Sequence, residues 1–316
     1  MLSFASCRQG AHALFVFSKA KSPIMTHIIS IQSHVAFGYV GNRAAVLPLQ
    51  RLGCEVTAIN TVQFSNHTGY GAFTGEVFSP AHLRDVLDGV ESLTGLRDIQ
   101  AVLSGYLGDE ATGQAVLESV RRVRRANPGA LWCCDPVMGD VGRGFFVREG
   151  IPEWMRDHAV PAADIVTPNQ FELAFLGDGE ITTLDQALAA AARLRHRGPR
   201  VVLVTSLEID DSRADWIDML LDTPQGSWRI ATPRLDFETA PNGAGDFTAA
   251  VFLACLLRDC EGVEGEGPVR ALSRTAEAVH ALFSHTRRAG TRELALIAAQ
   301  DDIVAPKRRF EAVRVR

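Results

Sequence analysis

The sequence predicts an α/β protein: a mostly parallel central sheet of about eight strands, covered by helices on both faces. Three observations predict it. Short apolar, β-branched runs alternate with helix-length amphipathic segments, the pattern of parallel strands joined by crossover helices. The strand-like runs end in polar, often glycine-containing loops, where ligands gather in such sheets. No linker composition and no internal repeat divides the 316 residues. One domain is therefore expected over residues 26–305.

Residues 1–25 carry Arg8, Lys19 and Lys21 and no acid. Met25 stands directly before the first strand pattern. The stretch reads as an N-terminal extension, a weak targeting segment or the product of an upstream start, and disorder is expected there. The first strand falls over residues 27–32. A polar loop over 33–42 contains Gly38 and Gly41. A helix over 44–52 is stopped by Gly53, and a strand over 55–60 completes the first β–loop–α–β unit. Residues 61–75 are polar, glycine-rich and aromatic, too irregular for a helix and too long for a tight turn, so they read as a functional loop.

A helix over 80–93 comes next, then a strand over 100–104. The helix over 110–126 carries Arg121, Arg122, Arg124 and Arg125 as a solvated face. The strand over 131–134 ends on Asp135-Pro136, and the strand over 164–166 runs into Thr167-Pro168-Asn169. One helix starts near Asn169 and an alanine-rich one spans 182–196. A strand over 200–205 precedes a hairpin of 215–221 and 227–232, turning at Thr223-Pro224-Gln225-Gly226. An apolar helical run over 249–257 follows Gly243-Ala244-Gly245-Asp246. An acidic, flexible loop over 259–267, helices over 269–286 and 293–299, and a basic tail over 306–316 complete the chain.

Composition excludes several function classes. At 47% hydrophobic and 22% charged, the chain supports a sizeable core. A net charge of −5 and a pI near 6.0 argue against a nucleic-acid partner. No apolar run reaches the ~20 residues a membrane span needs, so no membrane partner is expected. The six cysteines, Cys7, Cys54, Cys133, Cys134, Cys255 and Cys260, form no C-x-x-C pair and no metal spacing. A reducing, cytoplasmic setting fits them.

The chemistry centres on Gly243-Ala244-Gly245-Asp246. Small residues let backbone N–H groups gather at a helix start, which binds anions. Asp246 stands in the first turn beside them. A nest for developing phosphate charge, next to a base for a hydroxyl proton, is enough for phosphoryl transfer to an alcohol. Taken alone the motif is better described as a glycine-rich cap, since short glycine motifs match often. Ser33, Asp135 and the Asn169/Glu172 pair lie at other strand ends, where acids and amides serve Mg²⁺. The same spacing of Asn169 and Glu172 also describes a capping box, and Asp135 before Pro136 also describes a turn. Cys134 is a thiol able to add to an aldehyde, or a buried structural cysteine. His67 reads as a loop-ordering or lid group.

Six segments in order then change the odds: Ile31-Gln32-Ser33-His34-Val35 with Gly41-Asn42; Asn60 to Thr68; Leu103-Ser104-Gly105-Tyr106-Leu107-Gly108; Cys134-Asp135-Pro136-Val137-Met138-Gly139; Thr167-Pro168-Asn169-Gln170-Phe171-Glu172; and Gly243-Ala244-Gly245-Asp246. Together they resemble the pyridoxal kinases of the ribokinase-like superfamily. The resemblance implies a ribokinase-like fold, ATP-dependent phosphorylation of the 5′-hydroxymethyl of pyridoxal, Mg²⁺ with the ATP, and a homodimer; it leaves a monovalent cation open. It implies that Ser33 hydrogen-bonds the pyridine ring and that Thr68 and Gly69 close over it. Asp246 would be the base, and Gly243, Ala244 and Gly245 the anion hole. Asp135 and Glu172 would serve Mg²⁺ and phosphate. Thr167, Thr205 and the segment Thr232, Pro233, Arg234 and Leu235 would line the nucleotide. Cys134 matches a cysteine that bonds the aldehyde in the single-domain bacterial branch. Two positions depart from the pattern: Thr205, where part of that branch has lysine, and Gly69, where glutamine also occurs. Arg143 is a candidate to supply the charge missing at Thr205. The alternatives are a hydroxymethylpyrimidine or sugar kinase of the same superfamily, and a vitamin B6 binding protein with weak catalysis.

Overall fold

The structure, a computed structural model, describes residues 25–258 and 263–316. The expectations for residues 1–24, and for 259–262 of the acidic loop, lie outside the described residues. In chain order the strands are β1 (His27–Val35), β2 (Glu55–Phe64), β3 (Gly75–Val77), β4 (Ile99–Ser104), β5 (Leu131–Cys134), β6 (Gly139–Asp140), β7 (Gly144–Phe145), β8 (Ile165–Val166), β9 (Val201–Leu207), β10 (Trp216–Thr223), β11 (Gly226–Pro233) and β12 (Val313–Arg314). The helices are α1 (Asn42–Arg51), α2 (Pro80–Thr94), α3 (Glu110–Ala126), α4 (Ile151–Trp154), α5 (Val160–Ala162), α6 (Gln170–Leu176), α7 (Leu184–Arg197), α8 (Ala244–Arg258), α9 (Gly267–Ala289) and α10 (Leu296–Val304). A π-type turn, Met155–Ala159, joins α4 to α5.

Ten strands form one sheet in the order β12-β11-β10-β9-β8-β5-β4-β1-β2-β3, and β6 and β7 form a separate hairpin. The six strands from β9 to β2 are parallel; β3, β10, β11 and β12 are antiparallel additions at the edges. Strand β1 is buried on both faces, as a central parallel strand is. Its Ile29 and Ile31 join one core with Leu83, Leu87, Val116, Val120 and Leu173. Its Ile28 joins the other, with Leu49, Phe247, Phe252, Leu272 and Leu296. Helices α2, α3, α6 and α7 thus cover one face, and α1, α8, α9 and α10 the other. Helix α8 is buried along nearly its whole length, from Asp246 to Leu256, which explains why its sequence is apolar all round.

Strand order reverses at β1. The chain goes from β1 to β2 on one side and returns to β4 on the other. In parallel sheets the crevice beyond the strand ends at such a point is the usual ligand site. Ser33 lies near the end of β1, beside it.

Three elements differ from the sequence reading. Strand β2 runs on to Phe64, into the expected loop, because Thr61 and Val62 are buried and Val62 pairs with Val77 of β3. The last helix begins at Leu296 rather than Glu293, because Thr291 holds a tight turn: its Oγ1 accepts from the Glu293 N–H (2.8 Å) and donates to the Glu293 carbonyl (3.1 Å). The C-terminal segment, expected to be a tail, returns to the sheet, where Val313 and Arg314 pair with Arg229 and Trp228.

The charges of that segment find carboxylates. Arg309 pairs with the buried Glu277. Arg316 meets Asp222 at 2.9 Å. Asp222 has a side chain only 1% exposed and also pairs with Arg195 at 2.9 Å and accepts from the Ser227 hydroxyl at 2.6 Å. Asp222→Asn keeps the shape and removes the charge on which two arginines converge. It is expected to lower the unfolding free energy by about 2 kcal/mol, read from urea titration with an unchanged m-value.

Candidate active site

The site is built where α8 starts. Gly243 has φ 87°, a conformation that L side chains rarely adopt. A Cβ on it would stand 1.9 Å from the Tyr39 carbonyl oxygen, so only glycine lets the loop after β1 press against the start of α8. In any helix the first N–H groups lack intrahelical partners. Asp246 sits among them in the first turn, buried. The backbone N–H groups of Gly41 and of Asp246 itself lie near its carboxylate and favour its charged form. Burial pushes its pKa up, and those two donors hold it partly back.

Gly41 also lies directly on Ser33: a Cβ on Gly41 would fall 2.1 Å from the Ser33 carbonyl oxygen and 2.4 Å from its Oγ. One residue therefore touches both the expected ring-binding serine and the expected base. Asn42 pins this loop. Its Oδ1 accepts from the Ser30 hydroxyl (2.7 Å), and its Nδ2 donates to the Ile59 carbonyl (3.0 Å) and to Asn60 Oδ1 (2.8 Å).

Asp135 approaches from the end of β5. The Thr167 hydroxyl donates to its Oδ1 (3.0 Å). Its Oδ2 is buried with no hydrogen-bond partner among the described residues, and a Cβ on Gly245 would stand 3.6 Å from it. Burial, then the negative charges of Glu172 and Asp246, push the Asp135 carboxyl well above the usual range. Three acids thus share one field, and a cation would relieve it.

Both oxygens of Glu172 are engaged by backbone amides. Its Oε1 accepts from the Met138 N–H (2.7 Å) and its Oε2 from the Asn169 N–H (3.0 Å), while Asn169 Oδ1 accepts from the Glu172 N–H (2.9 Å). This is the capping box, complete on both sides. The metal role of Glu172 is what the resemblance implies, and each of its oxygens keeps a further lone pair. The box holds the turn after Asp135, where Val137 has φ 42°, a strained value for a β-branched residue. Burial pushes the Glu172 pKa up to about 7, against the pull of these amides.

Cys134 does not join the group. Its side chain is fully buried in the core, with Sγ 3.9 Å from Met155 Sδ, and burial pushes its thiol up to about 12. Its thiol packs in the core here, and the aldehyde-bonding role is what the resemblance alone implies. Thr167 and Thr205 come together at the ends of β8 and β9: the Thr205 N–H donates to the Pro168 carbonyl (3.0 Å) and the Thr167 N–H to the Cys134 carbonyl (3.2 Å). Thr232 and Pro233 end β11. Arg234 is paired with Glu208 at 2.6 Å. Leu235 lines a cleft of about 560 Å³ against α9, with His280, Ala281 and Ser284.

Thr68 and Gly69 form one exposed helical turn, Thr68–Tyr70, capped by His67, whose Nδ1 accepts from the Gly69 N–H (3.1 Å). Burial, then the Arg143 charge, lowers the His67 pKa, which puts Arg143 in electrostatic reach of this loop. Two residues at the site were missed. Glu293 accepts from the Tyr70 hydroxyl (2.6 Å), and Arg292 donates to the Gly69 carbonyl (2.8 Å). Nothing local in the sequence marks them.

A first-turn carboxylate beside helix N–H groups, facing a polar strand-end loop, defines a small-molecule phosphotransferase site of the ribokinase-like kind. A sequence model of the phosphomethylpyrimidine kinase family matches residues 46–292, and the chain belongs to that family. Its relatives there are pyridoxal kinases. It is 54% identical to the pyridoxal kinase PdxY of Rubrobacter xylanophilus over 290 residues, 92% of this chain and 97% of the relative. It is 50% identical to that of Deinococcus radiodurans over 293 residues, 92% and 96% of the two chains. Among solved structures, the pyridoxal kinase from Leishmania donovani in complex with ADP and ginkgotoxin aligns with a TM-score of 0.83 at 30% identity, covering 92% of this chain and all of that one.

Two outcomes are expected from this geometry. In the native protein Cys134 resists thiol reagents at pH 8 and is labelled only after denaturation, as read by peptide mass spectrometry. Rapid native labelling of Cys134 would show its thiol to be accessible. Glu172 has a folded-state pKa of about 7 against an ordinary 4.5, so the folded state holds its proton more tightly. Its contribution is full below pH 4.5 and is lost as pH rises through 7. Glu172→Gln can keep the bond from the Asn169 N–H, gives up the one from Met138, and removes that titration. The fall in urea midpoint between pH 5 and pH 8 should be smaller in this variant than in the parent.

Proposed function

We propose that this chain transfers the γ-phosphoryl group of ATP to the 5′-hydroxymethyl group of pyridoxal, giving pyridoxal 5′-phosphate. The observation that carries the reading is the close approach of the loop after β1 to the start of α8: Gly41 packs on Ser33, its N–H lies near the Asp246 carboxylate, and Gly243 meets the Tyr39 carbonyl. The high identity to pyridoxal kinases supports the substrate. A ring held at Ser33 presents its hydroxymethyl arm toward Asp246. Asp246, whose proton affinity burial has raised, takes the hydroxyl proton as the oxygen bonds to phosphorus. The N–H groups at Gly243, Ala244 and Gly245 stabilise the charge on the transferring group. Thr68 and Gly69 close the pyridoxal side from water. Thr167, Thr205 and the Thr232 to Leu235 segment take the nucleotide, and Arg143 adds positive charge near the lid.

Mg²⁺ fits this arrangement at Asp135, whose buried, unpartnered Oδ2 faces Gly245. Bound with the nucleotide, the ion would neutralise phosphate charge. A homodimer and a cytoplasmic setting belong to the same proposal, the former tested by sedimentation.

Asp246→Asn is expected to lower kcat by about 10²–10⁴ with little change in KM for pyridoxal. In the parent, kcat should fall at acid pH as Asp246 is protonated, with the limb above the ordinary carboxylate range because its pKa is raised. Near-normal turnover by the variant removes Asp246 from the base role. Phosphorylation of hydroxymethylpyrimidine or ribose, with none of pyridoxal, replaces the substrate.

A further inference from the structure

The turn after α9 makes contacts that the proposed reaction does not yet use. Glu293 stands in it, locked by the two hydrogen bonds to Thr291. Its two carboxylate oxygens go to two different loops. Oε2 accepts from the Tyr39 N–H (2.9 Å), in the loop after β1. Oε1 accepts from the Tyr70 hydroxyl (2.6 Å), in the lid turn. Its neighbour Arg292 donates to the Gly69 carbonyl (2.8 Å) and stacks on the Tyr70 ring, 4.2 Å from its centre. The Phe37 and Tyr70 rings meet edge-on at 6.2 Å. Space is made for the carboxylate: a Cβ on Gly38, whose φ is 93°, would fall 2.3 Å from Glu293 Oε2.

The loop Glu293 holds is the one that reaches the reacting groups. The Tyr39 carbonyl is what Gly243 presses against, and the N–H of Gly41, two residues on, lies near the Asp246 carboxylate. The lid turn it holds carries Thr68 and Gly69. One carboxylate therefore spans the cover of the pocket and the backbone beneath the base. Hydrogen bonds to a charged acceptor are stronger than neutral ones. Their partial exposure weakens each, but four contacts act on one short turn.

We propose that Glu293 is a positioning residue of this site: with Arg292 it latches the lid turn 68–70 to the loop 38–41, fixing the cover of the substrate pocket relative to Asp246 and the anion hole. It touches neither the substrate nor the reacting atoms and acts through Tyr39 and Tyr70. The inference rests on the proposed kinase reading for its effect on turnover, but the latch itself can be observed in the ligand-free protein.

The test uses the full chain and four proteins: the parent, Glu293→Ala, Glu293→Gln and Tyr70→Phe. The glutamine can still accept from the Tyr39 N–H and donate to the Tyr70 oxygen. Tyr70→Phe removes one hydroxyl from a surface ring and should fold as the parent does. Hydrogen exchange at Gly69 to Ala72 without ligand is expected to speed up about tenfold in Glu293→Ala, less in Tyr70→Phe, and near parent levels in Glu293→Gln. With pyridoxal and MgATP, KM for pyridoxal should rise about tenfold in Glu293→Ala, with a smaller fall in kcat and recovery in Glu293→Gln. Unchanged lid exchange in both Glu293→Ala and Tyr70→Phe overturns the latch. So does faster exchange that leaves KM and kcat within about twofold of the parent. If Glu293→Ala fails to fold, Tyr70→Phe alone decides by the same two readouts. A parent with no activity on pyridoxal while the exchange pattern holds would instead count against the kinase reading and leave the latch standing.

Discussion

The close approach of the loop after β1 to the start of α8 is the constraint on which the rest depends. Gly243 must lack a side chain because the Tyr39 carbonyl occupies its space, and Gly41 must lack one because Ser33 does. These two absences bring backbone to backbone, and the Gly41 N–H then reaches the Asp246 carboxylate. Two segments far apart in the chain become one surface. The sheet supplies the frame, since the reversal of strand order at β1 opens the crevice where both segments project.

Electrostatics makes this surface unstable by itself. Asp135, Glu172 and Asp246 are all buried, and burial pushes all three pKa values up. The three do not share the same fate. Glu172 is satisfied by backbone amides and serves as structure. Asp246 has two backbone donors and keeps the character of a base. Asp135 keeps one oxygen without a partner among the described residues. One chemical type is thus divided into three roles by its hydrogen-bond surroundings, as carboxylates in active sites are. Neighbouring rigidity is part of the arrangement, because the strained Val137 stays in place only through the cap that Glu172 completes.

Much of this was legible in the sequence. Alternating periods marked the parallel core, and Thr223-Pro224-Gln225-Gly226 marked the hairpin. The glycine-aspartate helix start could be read because N-terminal helix chemistry is local. The pair Asn169 and Glu172 fitted either a metal ligand or a cap, and its actual donors show the cap. Cys134 could be read as a reactive or as a packed thiol, because a sequence does not say at which strand end the core stops. Strand β3, three residues long, is too short to carry a period. Glu293 was read as helical, since nothing near it announces a partner 223 residues earlier. Contacts of that kind are set by tertiary placement, not by neighbours in sequence.

Helix α8 carries the base at one end and is enclosed by core on every side from Phe247 to Leu256. Drift along that helix would reshape the protein's interior, so natural variation has little room there. The exposed stretches of the strand-end loops, such as residues 68–74, by contrast have latitude to change, unlike Gly38 and Gly41. New substrate ranges in this lineage should therefore arise by rewriting those loops around an invariant catalytic helix, and laboratory evolution would do well to randomise the same places.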